Sequence, residues 1–147
     1  MQVVLDTNVL ISSALSIRGA SARLVRLWRE REAFTLLVSP AILAEYRRVL
    51  AYPDVQKRHG LTEDQIDELL GRLSETAVLV EPADEERVVM ADPADDTFLA
   101  CALAGHADAI VSGDGHLRDV KMYRGIPILT PAAFLLLLGT EAADPTP

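Results

Sequence analysis

Asp6 is the first charged residue of the chain, where the apolar run Val3-Val4-Leu5 gives out into Asp6-Thr7-Asn8. Three further acids, Glu45, Asp96 and Asp114, occupy comparable settings at the ends of apolar segments. Carboxylates gathered on one crevice repel each other, and protonation or a bound cation must relieve that repulsion. Donors that are all oxygen suit Mg²⁺ or Mn²⁺ rather than a structural zinc. Such an ion polarises a phosphoryl oxygen and activates water. The chemistry expected is therefore hydrolysis of a phosphodiester. No serine or cysteine is set up as a covalent nucleophile, which leaves water as the attacking group.

Each of these residues also has an ordinary structural reading. Asp6 can cap a helix that starts near Asn8, with Thr7 and Asn8 either orienting its carboxylate or serving as helix-start residues. Glu45 can pair with Arg47 or Arg48. Of Asp92, Asp95 and Asp96, one is explained by the helix dipole alone. Asp96 shares a helical face with Leu99, Ala100 and Leu103, which turns it toward the packed side, while Asp95 is placed to cap or support. Asp114 lies between Gly113 and Gly115, where glycine permits a tight path around a ligand. Ser112 is an accessory hydroxyl, and Asp119 ranks below Asp114. His106 and His116 fall near the crevice without a ligand partner. Cys101 reads as a packing residue, and Trp28, Tyr46 and Tyr52 as core or helix-lining residues.

Positioning these groups requires strands and helices in alternation. Residues 2–5 read as a short buried strand, with a helix over 9–15 and another from Ser21, whose face is Leu24, Leu27 and Trp28. A strand over 34–38 is followed by Ser39-Pro40, an N-cap and a first-turn proline, opening a helix that ends before Pro53. Residues 54–60 are a polar excursion, and Thr62 caps a helix through Leu73. Strands follow at 77–80, 109–111 and 126–129. A helix runs from about Asp95 to Gly105, and Thr130-Pro131 launches the last one. Short apolar strands alternating with helices predict an α/β chain with a parallel sheet covered on both faces, an α/β/α sandwich. Open sheets of this kind take ligands outside the carboxyl ends of their strands, where Asp6 and Asp114 stand.

Composition narrows the options further. A chain of 147 residues, half of them apolar, suits one domain with a real core. The single cysteine excludes an internal disulfide framework and fits a reducing, cytoplasmic setting. The N-terminus lacks a signal-peptide pattern, and the apolar stretch 132–138 is far too short to cross a bilayer. A net charge of -8 argues against a broad surface that coats nucleic acid. Arginines nevertheless crowd one early segment, Arg18, Arg23, Arg26, Arg29 and Arg31, and the first three are candidate RNA contacts.

The order of these motifs resembles that of PIN-domain proteins, specifically the VapC-like toxin components of prokaryotic toxin–antitoxin pairs. The resemblance rests on residues 3–10, on Ser39-Pro40 with Glu45, on residues 92–102 and on residues 107–114, and it extends to the Thr130-Pro131 helix. It implies one PIN-like domain over residues 1–139, with 140–147 as a short tail. It also implies Mg²⁺- or Mn²⁺-dependent ribonuclease activity from a four-acid site of Asp6, Glu45, Asp96 and Asp114, with Thr7, Asn8, Asp95 and Ser112 as accessory positions. A homodimer and a small DNA-binding antitoxin are implied partners, and no membrane. The alternatives are a housekeeping RNA-processing nuclease and a noncatalytic interaction module. An aspartyl phosphatase is disfavoured because Asn8 stands where a second aspartate is needed, and a phosphoacceptor domain because Lys121 is misplaced.

Overall fold

β1 (Gln2–Leu5) is a strand whose last three side chains are buried. Its chain turns directly at Asp6 into α1 (Thr7–Leu15), and α2 (Ala20–Arg31) follows. The structure is a computed structural model that describes residues 1–82, 93–113 and 122–141, without the side chains of 93–96 and 140–141. The remaining elements are β2 (Thr35–Val38), α3 (Pro40–Leu50), α4 (Pro53–His59), α5 (Glu63–Thr76), β3 (Val78–Leu79), α6 (Pro93–Ala104), β4 (Ala109–Val111), β5 (Met122–Tyr123), β6 (Ile126–Leu129) and a last helix, α7 (Pro131–Glu141).

The strands form one sheet in the order β3-β2-β1-β4-β6-β5. Every neighbouring pair is parallel except β5 with β6. Parallel strands need both faces covered, and the sequence supplies the cover: β1, β2 and β4 are apolar almost throughout. Their side chains pack with Leu24, Ile42, Leu50, Ile66, Phe98, Leu99 and Phe134 of the helices into one core. Phe34 and Phe134 meet edge to face, with ring centroids 5.4 Å apart, joining the start of β2 to α7.

Most elements lie where the sequence pattern places them, and the departures have local causes. Pro53 does not merely end α3; it is the first residue of α4, with Tyr52 as N-cap and Gly60 in the left-handed conformation at the other end (φ 71°). The expected polar excursion is therefore a helix. His59 ties it down: one ring nitrogen lies 2.8 Å from the Leu50 carbonyl and the other accepts from the Leu61 amide at 2.9 Å. β5 was not expected, because two residues carry no periodicity. Arg124 (φ 46°) and Gly125 (φ 84°) form the tight turn that folds it back on β6. α7 runs to Glu141, past Gly139, and residues 142–147 lie outside the described residues. Among the described residues no helix is long and apolar enough to cross a membrane.

Candidate functional site

The chain passes from β1 to β2 and β3 on one side, then continues β4 and β6 on the other. The strand order reverses between β1 and β4, and a crevice opens at the carboxyl ends of strands at such a point. The pairing Leu5↔Val111 sets Asp6 and Ser112 side by side just beyond the last ladder residues. The Asp6 amide donates to the Val111 carbonyl at 2.9 Å, extending the ladder by one bond.

Asp6 is buried, 6% exposed. Its Oδ1 accepts from the Thr7 amide at 2.7 Å, which makes it the N-cap of α1, and its Oδ2 accepts from Ser112 Oγ at 2.6 Å. The capping reading of Asp6 is realised, yet a carboxylate has lone pairs for more than two donors, so capping does not exclude ligation. Among the described residues Thr7 Oγ1 has no hydrogen-bond partner, although it is buried. Asn8 Oδ1 accepts from the Gly113 amide at 3.2 Å, a second tie between α1 and the end of β4. Among the described residues a Cβ at Gly113 would first meet Asn8 Oδ1, at an ordinary 3.7 Å.

Glu45 stands one turn and a half into α3, whose start is fixed by Ser39 Oγ accepting from the Ile42 amide. Its carboxylate is gripped by Arg48 through Nε–Oε2 at 3.1 Å and Nη2–Oε1 at 2.6 Å. Arg48 also donates to Tyr52 Oη and lies over that ring. Arg47, the other candidate partner, pairs with Asp67 of α5.

Asp95 and Asp96 fall in the first turn of α6, but their side chains lie outside the described residues, as do Asp92, Asp114, Asp119, His116 and Lys121 entirely. The structure therefore brings Asp6, Thr7, Asn8 and Ser112 together and gives Glu45 a partner on its own helix. Among the described residues no three acids, histidines or cysteines form a metal cluster. The donors that are described, a carboxylate, a partnerless buried hydroxyl and a serine hydroxyl, are hard oxygen groups of the kind Mg²⁺ or Mn²⁺ takes.

His106 is an exposed residue between α6 and β4, at the amino end of the strand and so away from the crevice. Arg26 Nη1 donates to the Ile17 carbonyl at 3.1 Å and braces the α1–α2 turn. Arg18 lines a cleft of about 320 Å³ with Ser12, Ser16, Ser21 and Pro131, and Arg23 is exposed. Trp28 and Phe34 line an apolar groove of about 660 Å³ between α2 and α5.

Tyr46 carries more than its place in the apolar pattern of α3 suggested. It is 1% exposed, and its hydroxyl donates to the Leu5 carbonyl at 2.6 Å, one residue before Asp6. Burial pushes this phenol well above the ordinary tyrosine range, and the negative charge of Asp6 adds to the effect. The sequence signal was the one polar ring on a buried face, directly after Glu45.

The sequence matches the family described as PIN domain over residues 2–116, a stretch that includes all four candidate acids. It is 30% identical to an uncharacterized protein of Methanocaldococcus jannaschii, over 92% of this chain and 90% of that one. In structure it is similar to a chain in the crystal structure of VapBC2 from Rickettsia felis bound to a DNA fragment from their promoter. That likeness has a TM-score of 0.60 at 13% identity and covers 88% of this chain and 98% of that one.

Proposed function

Because this chain belongs to the PIN-domain family, we propose that it is a divalent-cation-dependent ribonuclease, a toxin-like endonuclease that hydrolyses RNA phosphodiester bonds. One observation carries the reading furthest. A buried aspartate stands at the switch point of the sheet, its second oxygen held by a serine from the neighbouring strand end. A solubilising or merely capping aspartate needs no such partner.

In this reading Asp6, Glu45, Asp96 and Asp114 hold Mg²⁺ or Mn²⁺, and Thr7, Asn8, Asp95 and Ser112 orient them. The cation supplies polarisation of a phosphoryl oxygen and activation of water. The chain does the rest. Ser112 fixes the rotamer of Asp6 through Oδ2, and the Thr7 amide fixes Oδ1, so the carboxylate does not reorganise when substrate arrives. Glu45 must exchange the Arg48 guanidinium for its new partner. Arg18, Arg23 and Arg26 contact backbone phosphates of the RNA beside the crevice. Water attacks phosphorus, and the products carry a 5′-phosphate and a 3′-hydroxyl.

The likeness to a chain of a VapBC2 structure that includes promoter DNA supports a small DNA-binding antitoxin as partner. A homodimer acting in the cytoplasm completes the proposal. The test is cleavage of end-labelled RNA by purified protein. Activity is expected to vanish in EDTA, to return with Mn²⁺ or Mg²⁺, and to be lost in Asp6→Asn and Asp96→Asn. Cleavage that persists in EDTA, or in both variants, overturns the reading.

A further inference from the structure

We propose that Tyr46 is a positioning residue of the candidate site, holding the acid-bearing ends of β1 and α3 in register through its hydroxyl. The inference rests on the nuclease reading above. Residues of β1 alternate in the direction of their carbonyls, and the odd ones face β2, as the bond from the Thr35 amide to the Met1 carbonyl shows. The Leu5 carbonyl faces the same side, but β2 ends at Val38 and the chain leaves the sheet into α3. A buried carbonyl at this point needs a donor from elsewhere. Tyr46 Oη provides it at 2.6 Å.

The bond joins one residue before Asp6 to one residue after Glu45. The same ring lies against Phe98 of α6, with centroids 6.3 Å apart and planes tilted by 32°. Phe98 is two residues beyond Asp96 on that helix. One side chain of α3, the helix of Glu45, thus touches both β1, which leads into Asp6, and α6, which carries Asp96. An ordinary core tyrosine satisfies its hydroxyl wherever an acceptor is near. This one does so at the backbone link whose displacement would carry Asp6 with it.

Tyr46→Phe removes the hydroxyl and keeps the ring, so it isolates the bond from the packing. The comparison variant is Ile66→Val, a small core truncation on α5 outside the site. The first readout is Mn²⁺ affinity by titration calorimetry. Tyr46→Phe is expected to weaken Kd about 10-fold, the lower range for loss of a group that supports a ligand, and Ile66→Val to leave it unchanged. The second readout needs no metal: exchange of the Asp6 and Thr7 amide protons, which bond to Val111 O and Asp6 Oδ1. Both should exchange faster in Tyr46→Phe than in Ile66→Val. If wild-type protein binds Mn²⁺ and the two variants match in either readout, the proposal fails. If wild-type protein binds no Mn²⁺, the nuclease reading falls instead, and amide exchange alone decides whether Tyr46 holds the strand end.

Discussion

The two carboxyl oxygens of Asp6 meet different demands, one closing the first turn of α1 and the other holding the end of β4. Glu45 differs because its partner, Arg48, comes from its own helix and is more than half exposed. Such a pair contributes little to stability, and a cation can displace it at small cost. Cys101 gives a residue-scale prediction. Burial pushes its thiol up to about 12 from an ordinary 9.0, with a hydrogen bond from Ser39 pulling the other way. At pH 8 the native protein should react with an aromatic disulfide reagent far more slowly than the denatured chain. Equal rates would mean the thiol is accessible. The sign of the linkage follows: the folded-state pKa is raised, so the contribution to stability is complete below about pH 9 and declines as pH rises toward 12. Denaturant midpoints should fall across that window, and Cys101→Ala should flatten the decline.

At the scale of elements, caps and close contacts decide where helices start and stop. Thr62 Oγ1 accepts from the Gln65 amide while Gln65 Oε1 accepts from the Thr62 amide, a complete capping box for α5. Thr62→Ala should lower stability by about 1 kcal/mol, read from denaturant unfolding, with the site untouched. Gly105 ends α6 where a Cβ would sit 2.8 Å from Leu37 Cδ1 and 3.0 Å from Val80 Cγ2. Leu37 is buried, and the added methyl would also meet the fixed Cys101 carbonyl at 3.2 Å. Gly105→Ala should therefore cost about 1–3 kcal/mol by overpacking, offset in part by the reduced freedom of the unfolded chain. A variant as stable as wild type would show that the Leu37 and Val80 side chains give way to the added methyl. The capping signals at Ser39 and Thr62 were legible in the sequence because they are local. The role of Pro53 was not, because the same proline that ends one helix serves equally well to begin the next.

For the whole molecule, the cation site proposed for Asp6, Glu45, Asp96 and Asp114, on an already anionic chain, should make stability respond to divalent ions. A cation that binds only the folded protein stabilises by about 2.7 kcal/mol at 100 times its Kd, on the order of 5–10 °C in a domain of this size. Mn²⁺ should raise Tm by that amount, EDTA should reverse it, and Asp6→Asn, which keeps a capping oxygen at the same helix start, should abolish the shift while remaining folded. An equal Mn²⁺ response in Asp6→Asn would remove Asp6 from the ligand set.

What the chain determined by itself was the order of strands and helices apart from α4 and β5, the parallel character of most of the sheet and the candidacy of Asp6. Apolar periodicity and caps act over a few residues and can be read directly. The sequence also offered Thr7, Asn8 and Ser112 as neighbours of the site, but without saying which atoms would meet. Tertiary structure decided that Ser112 bonds to Asp6 across 106 positions, that Arg48 rather than Arg47 takes Glu45, that His106 lies at the far end of its strand, and that Tyr46 reaches the backbone beside Asp6. Each of these depends on which strand lies beside β1 and how α3 lies against it. Strand order and helix packing are set by burial summed over the entire core, and no short stretch of sequence carries that sum.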